Sequence, residues 1–342
     1  MSYVTIEKTG RAGVIGLDRP KALNALDLGM VETIASALDE FEADPAVELV
    51  VLRSNHDKMF CAGGDMRRIR ELVLENHFEE AEHFFRTEYA LILRIESYSK
   101  PYVSLIDGIC MGGGIGLSMH GKFRIASENA LFAMPETAIG FIPDVGGSHI
   151  LPRMPHHAGY WMGLTGARVK NFDAHALGLS THMTQAASLG GLFDELCFSR
   201  AATETAIENH CGVLGFQESI LGLAASTSCF YQPTLCSIED CLTKSKSTKT
   251  NEALRALKLA SPRSLQETLS LLKRGVGSTL KTCLMREFEA VQRAIRHPDL
   301  VEGVRAVLVD KDHTPVWPSA DPRLAGHKPS KLPDLSSSQA ML

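Results

Sequence analysis

Apolar and polar positions alternate near the start of the chain, which indicates strands. Residues 4–7 alternate, residues 9–13 contain two glycines, and residues 14–17 return as an apolar run. This pattern predicts a β-hairpin. Asp27 then precedes a stretch whose apolar residues recur at helical spacing, so we expect a helix capped by Asp27.

Apolar runs and amphipathic stretches alternate along the next hundred or so residues. Residues 47–52 and 101–106 are compact apolar runs typical of buried strands, and residues 123–126 and 131–133 are shorter runs of the same kind. A charged amphipathic stretch at residues 66–97, between the runs at 47–52 and 101–106, predicts two helices. Strands that alternate with helices in this way predict an α/β core.

From residue 154 the pattern becomes mainly helical. Residues 264–274 and 283–295 carry apolar positions at helical spacing and predict two further helices. The stretch at residues 237–251 is polar and rich in Ser, Thr and Lys, so a linker or mobile loop is expected there.

The composition is that of an ordinary globular protein. The 342 residues are 44% hydrophobic and 22% charged, with a formal net charge of −5. This charge argues against a nucleic-acid partner, and no apolar run approaches the roughly 18 to 20 residues needed to cross a membrane. Because the N-terminus reads as a strand rather than as a targeting segment, the sequence predicts a cytoplasmic protein, with a processed mitochondrial form left open.

Eight cysteines are scattered along the chain without a Cys-x-x-Cys pair. That spacing fits neither a zinc site nor the disulfide framework of a small secreted domain, so buried, reduced thiols are expected. A thiol nucleophile at Cys61 with His120 as its base is a weak alternative, because no third residue that would orient the histidine is evident.

Three segments carry the candidate chemistry: residues 60–65, 111–114 and 134–147. Glycines in the first two allow backbone N–H groups to approach a ligand closely. Gly64 precedes Asp65, a good helix N-cap, and Gly113 opens a predicted helix, so both N–H groups would point outward. Two such donors that converge on one point would form an oxyanion hole.

The order and spacing of these segments resemble the crotonase (enoyl-CoA hydratase/isomerase) superfamily, as does the Asp-Arg-Pro-Lys-Ala-Leu-Asn-Ala-Leu run at residues 18–26. The resemblance implies an α/β fold, a crotonase-like spiral of repeated ββα units with a helical C-terminal region. It implies a spiral core at residues 1–200 that holds the CoA site and the catalytic residues. A mainly helical region at residues 201–325 and an irregular tail at residues 326–342 would follow.

The resemblance also assigns ligand contacts. Gly64 and Gly113 would donate N–H bonds to the thioester oxygen of a CoA substrate. Six further residues would lie along the bound substrate: Lys21, Ala22, Leu23, Ala62, Gly63 and Asp65. CoA would be part of the substrate, so neither a separate cofactor nor a metal is expected.

Departures from the superfamily pattern indicate a subfamily. A typical hydratase carries one glutamate at the position of Gly116 and a second at the position of Glu136, and only the second is present here. Asp144 stands where hydratases usually have glycine. The loss of one acid and the gain of another resemble 3-hydroxyisobutyryl-CoA hydrolases, as do residues 84–89 and segments between residues 302 and 318.

The subfamily resemblance implies hydrolysis of a 3-hydroxyacyl-CoA thioester, with 3-hydroxyisobutyryl-CoA of valine catabolism as the expected substrate. Glu136 would attack the thioester or activate a water as general base, and Asp144 would bind the 3-hydroxyl or orient the water. Glu88 is a candidate contact for substrate. An enoyl-CoA hydratase/isomerase and a non-catalytic acyl-CoA-binding protein are the alternatives, and a homo-oligomer is left open.

Overall fold

The computed structural model describes residues 3–212, 227–245 and 247–318, and it begins with the predicted hairpin and capped helix. Strands β1 (Val4–Thr9) and β2 (Ala12–Leu17) pair antiparallel. Helix α1 (Leu28–Ala43) follows, and the Asp27 side chain accepts a hydrogen bond from the backbone N–H of Met30 at 2.9 Å. Both predictions are confirmed.

Further strands complete two sheets. In chain order they are β3 (Leu49–Ser54), β4 (Met59–Cys61), β5 (Tyr102–Ile106), β6 (Ile109–Met111), β7 (Phe123–Ala126), β8 (Leu131–Ala133), β9 (Val169–Lys170) and β10 (His182–Met183). The larger sheet has the order β1-β2-β3-β5-β7-β10, and the smaller sheet has the order β4-β6-β8-β9. Strands β3, β5 and β7 are parallel to one another, and so are β4, β6 and β8.

Helices connect and cover the sheets. In chain order after α1 they are α2 (Met66–Leu74), α3 (Phe78–Glu96), α4 (Gly113–Met119), α5 (Gly147–Ile150), α6 (Ala158–Thr165), α7 (Asn171–Ala176), α8 (Leu189–Phe198), α9 (Thr203–His210), α10 (Leu235–Ser245), α11 (Thr248–Leu259), α12 (Pro262–Gly275), α13 (Leu280–Ala294) and α14 (Pro298–Val304). A π-helical turn, Arg305–Val309, continues α14.

Successive strands from β3 to β8 alternate between the two sheets, which gives the chain the spiral of ββα units expected from the resemblance. Each unit places one strand in the larger sheet and the next in the smaller sheet, and a helix or helical turn then leads to the following unit. Among the described residues no strand follows β10, and the C-terminal part is helical.

The centre of the larger sheet is buried on both faces. Along β3, Val50 and Leu52 belong to the core that includes α1 and α3, whereas Leu49 and Val51 pack with Leu192 and other residues of α8 and α9. A strand buried on both faces reads as a continuous apolar run, which is the pattern seen at this position of the sequence.

The predicted linker at residues 237–251 is wrong, because this stretch forms the end of α10 and the start of α11. Ile238 and Leu242, one helical turn apart, are buried in a small core of the C-terminal helices. Ser247 and Thr250 form a capping box at the start of α11, so two of the polar residues that suggested a loop instead begin a helix.

Two features of the structure differ from the sequence-based expectations. The short strands β9 and β10 lie in a stretch predicted to be helical, and each pairs over only two residues, too few for a period to be read. Cys229 and Cys241 form a disulfide with a Cα–Cα distance of 5.4 Å, so these two thiols are not reduced as expected.

Within the described residues, no helix is long and apolar enough to span a membrane. The irregular tail predicted at residues 326–342 lies outside the described residues.

Candidate active site

The candidate residues come together because three parallel strands of the smaller sheet end at the same edge. Strands β4, β6 and β8 are neighbours in that sheet, and the segments that follow them carry Gly64, Gly113 and Glu136, respectively. The carboxyl ends of parallel strands meet at one edge of a sheet, where α/β proteins bind their ligands. The strand order alone therefore brings the three separate sequence segments to one place.

The backbone N–H groups of Gly64 and Gly113 lie close to each other. A Cβ built on Gly113 would lie 3.3 Å from the backbone nitrogen of Gly64, and one built on Gly63 would lie 3.4 Å from the nitrogen of Gly113. Neither N–H donates a hydrogen bond to any part of the chain that the structure describes. Gly63 adopts a φ of +107°, a conformation that glycine permits and that brings the two segments together. An oxyanion hole needs two unpaired donors near one another, so the pair is a candidate for one.

Glu136 is the first residue of a 3₁₀ turn, Glu136–Ile139, that follows β8 and Pro135. Its side chain is buried, and Oε2 has no hydrogen-bond partner among the described residues. Its Oε1 would lie 2.8 Å from a Cβ built on Gly112, so the carboxylate stands beside the glycine segment. An unpaired buried carboxylate oxygen is costly and therefore indicates a functional group.

Asp144 follows on the next turn and is also buried. Its Oδ2 accepts a hydrogen bond of 2.6 Å from the hydroxyl group of Tyr89, which lies on α3 and is itself fully buried. Tyr89 was not among the predicted site residues. The contact holds the Asp144 carboxylate in one orientation, whereas Glu136 has no comparable partner at Oε2.

Glu88 lies one residue before Tyr89 on α3 and points into the protein. Only 2% of the residue is exposed, so Glu88 does not lie on the solvent-exposed face of this charged helix. Its Oε1 has no hydrogen-bond partner in the described residues and would lie 2.6 Å from a Cβ built on Gly113. A third carboxyl group therefore stands beside the two N–H donors.

Burial raises the pKa of all three carboxyl groups, and neighbouring carboxylates raise it further. Burial raises the pKa of Glu88 well above its ordinary value, with further contributions from Asp144 and Glu136. Burial and the charge of Asp144 raise the pKa of Glu136 in the same direction. Burial raises the pKa of Asp144 from 3.8 to about 7, although the hydrogen bond from Tyr89 opposes that change. A group such as Asp144, with a pKa of about 7, exchanges protons near neutral pH, which suits acid–base chemistry.

The position where hydratases of the superfamily carry their other glutamate has no room for a side chain. A Cβ built on Gly116 would lie 2.8 Å from Cβ of Val145 and 3.1 Å from Cδ1 of Ile92. Val145 adopts a φ of +52°, which is strained for a β-branched residue. The segment that supplies Asp144 therefore also fills the space of the absent glutamate.

One cavity of about 140 Å³ connects these groups. Its polar lining includes Glu88, Glu136, Asp144 and the backbone of the glycine segments. Its apolar wall consists mainly of Met66, Phe85, Ile139, Phe141, Val307 and Leu308. Val307 and Leu308 come from the π-helical turn near the end of the described chain, so the C-terminal region closes the cavity on one side.

The residues predicted to contact CoA form one continuous strip, only part of which lines the cavity. Ala62 and Gly63 line it, and the N–H of Ala62 donates to the carbonyl of Leu23 at 2.9 Å. Lys21 and Leu23 are exposed on the surface next to this segment, and Ala22 is half-buried between them.

Asp65 has a structural role that the sequence had also suggested. It caps α2 by accepting a hydrogen bond from the N–H of Arg68, and its other oxygen lies 2.8 Å from the guanidinium group of Arg19. A contact between Asp65 and CoA stays a prediction.

The alternative of a thiol nucleophile at Cys61 does not agree with the structure. The Cys61 thiol is fully buried and donates to the carbonyl of Asn24, and burial raises its pKa to about 12. The His120 ring is hydrogen-bonded to the carbonyl of Val145 instead, and burial lowers its pKa to about 4. Neither residue lines the cavity.

The described residues contain no group of three or more His, Cys, Asp or Glu side chains arranged to hold a metal ion.

Besides Tyr89, sequence reasoning missed Val307, Leu308 and Glu287. Glu287 lies on α13 and is fully buried next to the Asp144 turn. The sequence signal for Glu287 was its position among apolar residues at helical spacing, because a glutamate buried in a core needs a specific partner.

Comparisons with known proteins find a matching family and similar relatives. Residues 12–328 match the enoyl-CoA hydratase/isomerase family. The 3-hydroxyisobutyryl-CoA hydrolase of rat mitochondria (Rattus norvegicus) is 42% identical over 93% of this chain and 85% of its own length. The corresponding human protein (Homo sapiens) is 42% identical over 93% of this chain and 84% of its own length.

Solved structures share the fold and carry other activities in their names. A carnitinyl-CoA dehydratase from Mycobacterium thermoresistibile superposes with a TM-score of 0.89 at 32% identity, over 96% of this chain and 94% of its own. An enoyl-CoA hydratase from Rhodobacter sphaeroides superposes with a TM-score of 0.86 at 37% identity, over 94% of both chains.

Proposed function

Because the chain belongs to the enoyl-CoA hydratase/isomerase family, we propose that it is an acyl-CoA thioester hydrolase that converts 3-hydroxyisobutyryl-CoA to 3-hydroxyisobutyrate and CoA. The reaction belongs to valine catabolism. The observation that carries the proposal is the placement of Glu136 and Asp144 beside two unpaired N–H donors, together with the closed position at Gly116. The names of curated relatives about 40% identical over most of the chain support the same substrate.

The oxyanion pair would stabilise the tetrahedral intermediate. The thioester oxygen gains negative charge when its carbon is attacked, and the N–H groups of Gly64 and Gly113 are free to donate to it. Removal of one such donor costs about 2.7–4 kcal/mol of barrier in a measured case, so this contribution is large.

Glu136 is positioned to start the reaction. Its unpaired Oε2 would attack the thioester carbon to form an anhydride, or it would take a proton from a water that attacks in its place. In either case the C–S bond breaks, the thiolate of CoA leaves and takes up a proton, and one water is consumed. In ¹⁸O-labelled water, an anhydride that is hydrolysed by attack at the Glu136 carbonyl would place the label in the Glu136 carboxylate after a single turnover, whereas general-base catalysis would not.

Asp144 would hold the 3-hydroxyl group of the substrate or the hydrolytic water. Tyr89 fixes one of its oxygens, so the carboxylate has a defined direction. Its pKa of about 7 means that both protonation states are populated near neutral pH. The cavity of about 140 Å³, closed by Val307 and Leu308, suits a short acyl group rather than a long chain.

Hydration of an enoyl-CoA is the second candidate, since the two solved structures named above carry hydratase and dehydratase names. Addition of water across a C=C bond uses two acids. Gly116 occupies the position where hydratases of the family carry the first of them. Asp144 is an acid nearby, so an assay rather than the residue count must separate the two activities.

The deciding experiment measures thiol release from 3-hydroxyisobutyryl-CoA, 3-hydroxypropionyl-CoA and acetyl-CoA, and hydration of crotonyl-CoA, by the same preparation. Thiol release that favours the 3-hydroxy substrates and disappears in Glu136→Gln is expected. Hydration without thiol release would contradict the proposal. A non-catalytic acyl-CoA-binding protein would show neither activity and would still bind the thioesters.

The compartment stays a prediction. The sequence predicts the cytoplasm and leaves a processed mitochondrial form open, and the curated relatives named above are mitochondrial. Fractionation of the source cells followed by immunodetection tests the two locations.

A further inference from the structure

A buried carboxylate from the C-terminal helices contacts the turn that carries Asp144. Glu287 on α13 is 0% exposed. Its Oε2 accepts a hydrogen bond of 2.8 Å from the N–H of Gly146, and its Oε1 accepts one of 2.8 Å from the N–H of Ser148. The Ser148 hydroxyl donates to the same Oε1 at 2.5 Å. One side chain therefore satisfies three donors of a single turn.

The turn needs such support because its backbone is strained. Val145 and Gly146 have φ angles of +52° and +82°, and the former is unfavourable for a β-branched residue. The Val145 carbonyl accepts a hydrogen bond from His120, and the N–H of Gly147 donates to the carbonyl of Asp144. Strain of this kind persists only where surrounding contacts fix the conformation.

We propose that Glu287 is a positioning residue that holds the Asp144–Ser148 turn in its strained conformation and so aims the Asp144 carboxylate into the cavity. This inference rests on the hydrolase function proposed above. Glu287 does not line the cavity, so it acts through Asp144 and not on the substrate. Burial raises the pKa of Glu287, and the three donors around its carboxylate oppose that rise and stabilise the ionised form, which would place a negative charge behind the turn.

The charge of Glu287 gives the proposal a specific signature. The titratable groups around Asp144 are Tyr89 and Glu88 on α3, Glu136 on its own turn, Glu287 on α13 and His120 at the end of α4. After burial, Glu287 is one of the causes that raise the pKa of Asp144. A neutral residue at position 287 would therefore lower this pKa, whichever protonation state of Asp144 the reaction uses.

The test is Glu287→Gln in the full chain, with thiol release from 3-hydroxyisobutyryl-CoA measured on both sides of about pH 7. Glutamine keeps the volume and one acceptor but loses the charge and presents an NH₂ group to a backbone donor. We expect kcat to fall by up to about 100-fold, as for a catalytic group displaced by about 1 Å. In a plot of kcat against pH, one limb should reflect the titration of Asp144 near pH 7, and this limb should move to lower pH.

A matched control separates positioning from general loss of structure. Asp299→Asn alters another fully buried carboxylate of the C-terminal helices, one that accepts a hydrogen bond from Ser261 and lies in the first turn of α14. It should lower the melting temperature without moving the limb. An unmoved limb in a folded Glu287→Gln variant would overturn the proposal, whereas inactive wild-type protein would refute the proposed function itself.

Ser148→Ala covers the case in which Glu287→Gln does not fold. It removes one donor to Glu287 and keeps the charge. We expect a several-fold lower kcat, an unchanged KM and a limb that stays in place. Wild-type kcat in a folded Ser148→Ala variant, with Glu287→Gln unfolded, would mean that Glu287 serves folding alone.

Discussion

The turns that carry Glu136 and Asp144 are close in the chain but are supported differently. Glu136 begins a short 3₁₀ turn directly after a strand, and its Oε2 has no partner among the described residues. Asp144 lies on a turn with a strained backbone, receives a hydrogen bond from Tyr89, and is backed by Glu287. One carboxylate is therefore left unpaired beside the donor pair, and the other is held in a fixed direction.

This difference indicates a division of roles. A nucleophile or general base must have an oxygen available for the substrate, which an unpaired buried carboxylate provides. A group that orients a hydroxyl or a water must itself be oriented, which requires neighbouring hydrogen bonds. The structure supplies the first arrangement at Glu136 and the second at Asp144.

The largest expected effect is that of Glu136→Gln. Glutamine keeps the shape but is neither a nucleophile nor a base, so thiol release should fall by about 10²- to 10⁴-fold, the range for acid–base groups. Binding of a non-hydrolysable thioether analogue, measured by calorimetry, should persist. Retention of more than a tenth of the wild-type kcat would assign the first step to another group.

Asp144→Asn should have a smaller effect on the rate and a clearer effect on pH dependence. The amide still accepts a hydrogen bond from Tyr89, so the direction of the side chain is kept and the charge is lost. We expect kcat to fall by about 10²-fold and the limb near pH 7 to disappear from the profile. If the limb persists in this variant, the group that titrates there is not Asp144.

Tyr89→Phe tests the orientation of Asp144 without a change of charge at that residue. The hydrogen bond from Tyr89 lowers the pKa of Asp144, so its removal should move the limb to higher pH, opposite to the change expected for Glu287→Gln. A fall in kcat of about tenfold is expected, which corresponds to about 1.4 kcal/mol of barrier. A profile identical to that of the wild type would show that the contact does not control Asp144.

The comparison of the two turns also shows what a sequence can predict. The strand before Glu136, β8, is read from the local apolar run at residues 131–133, whereas β4 and β6, which lead to the glycine segments, were not predicted. The family resemblance implied the spiral of ββα units in which all three lie. The contact between Tyr89 and Asp144 could not be read in this way, because it depends on the rotation of α3 relative to a turn far away in the chain.

Glu287 is separated from its partner turn by most of the C-terminal region, and no local pattern connects the two. The sequence shows that Gly116 replaces a glutamate. Only the structure shows that the side chain of Val145 fills the space of that glutamate.

The polar stretch at residues 237–251 was misread for a related reason. A capping box and a loop both use Ser and Thr, and only packing of the apolar residues distinguishes them.

The smallest expected effect concerns stability, and it sharpens the comparison of the two turns. A carboxyl group with a raised pKa in the folded protein stabilises the fold while it is protonated, and this stability is lost as the pH rises through the folded pKa. For Asp144 this stability is lost as the pH rises from about 4 to about 7. For Glu136 the loss also begins at acidic pH. Both Glu136→Gln and Asp144→Asn should therefore raise the melting temperature at pH 8 and leave it nearly unchanged at pH 4.

The increase should be larger for Glu136→Gln, by a few degrees, since about 1 kcal/mol changes the melting temperature of a domain of this size class by roughly 2–4 °C. The Oε2 of Glu136 is buried without a partner in the described part of the chain, whereas Asp144 in its charged form already gains from the hydrogen bond of Tyr89. Differential scanning fluorimetry of both variants across this pH range makes the measurement. A larger increase for Asp144→Asn would mean that Asp144, and not Glu136, is the less stably placed carboxylate.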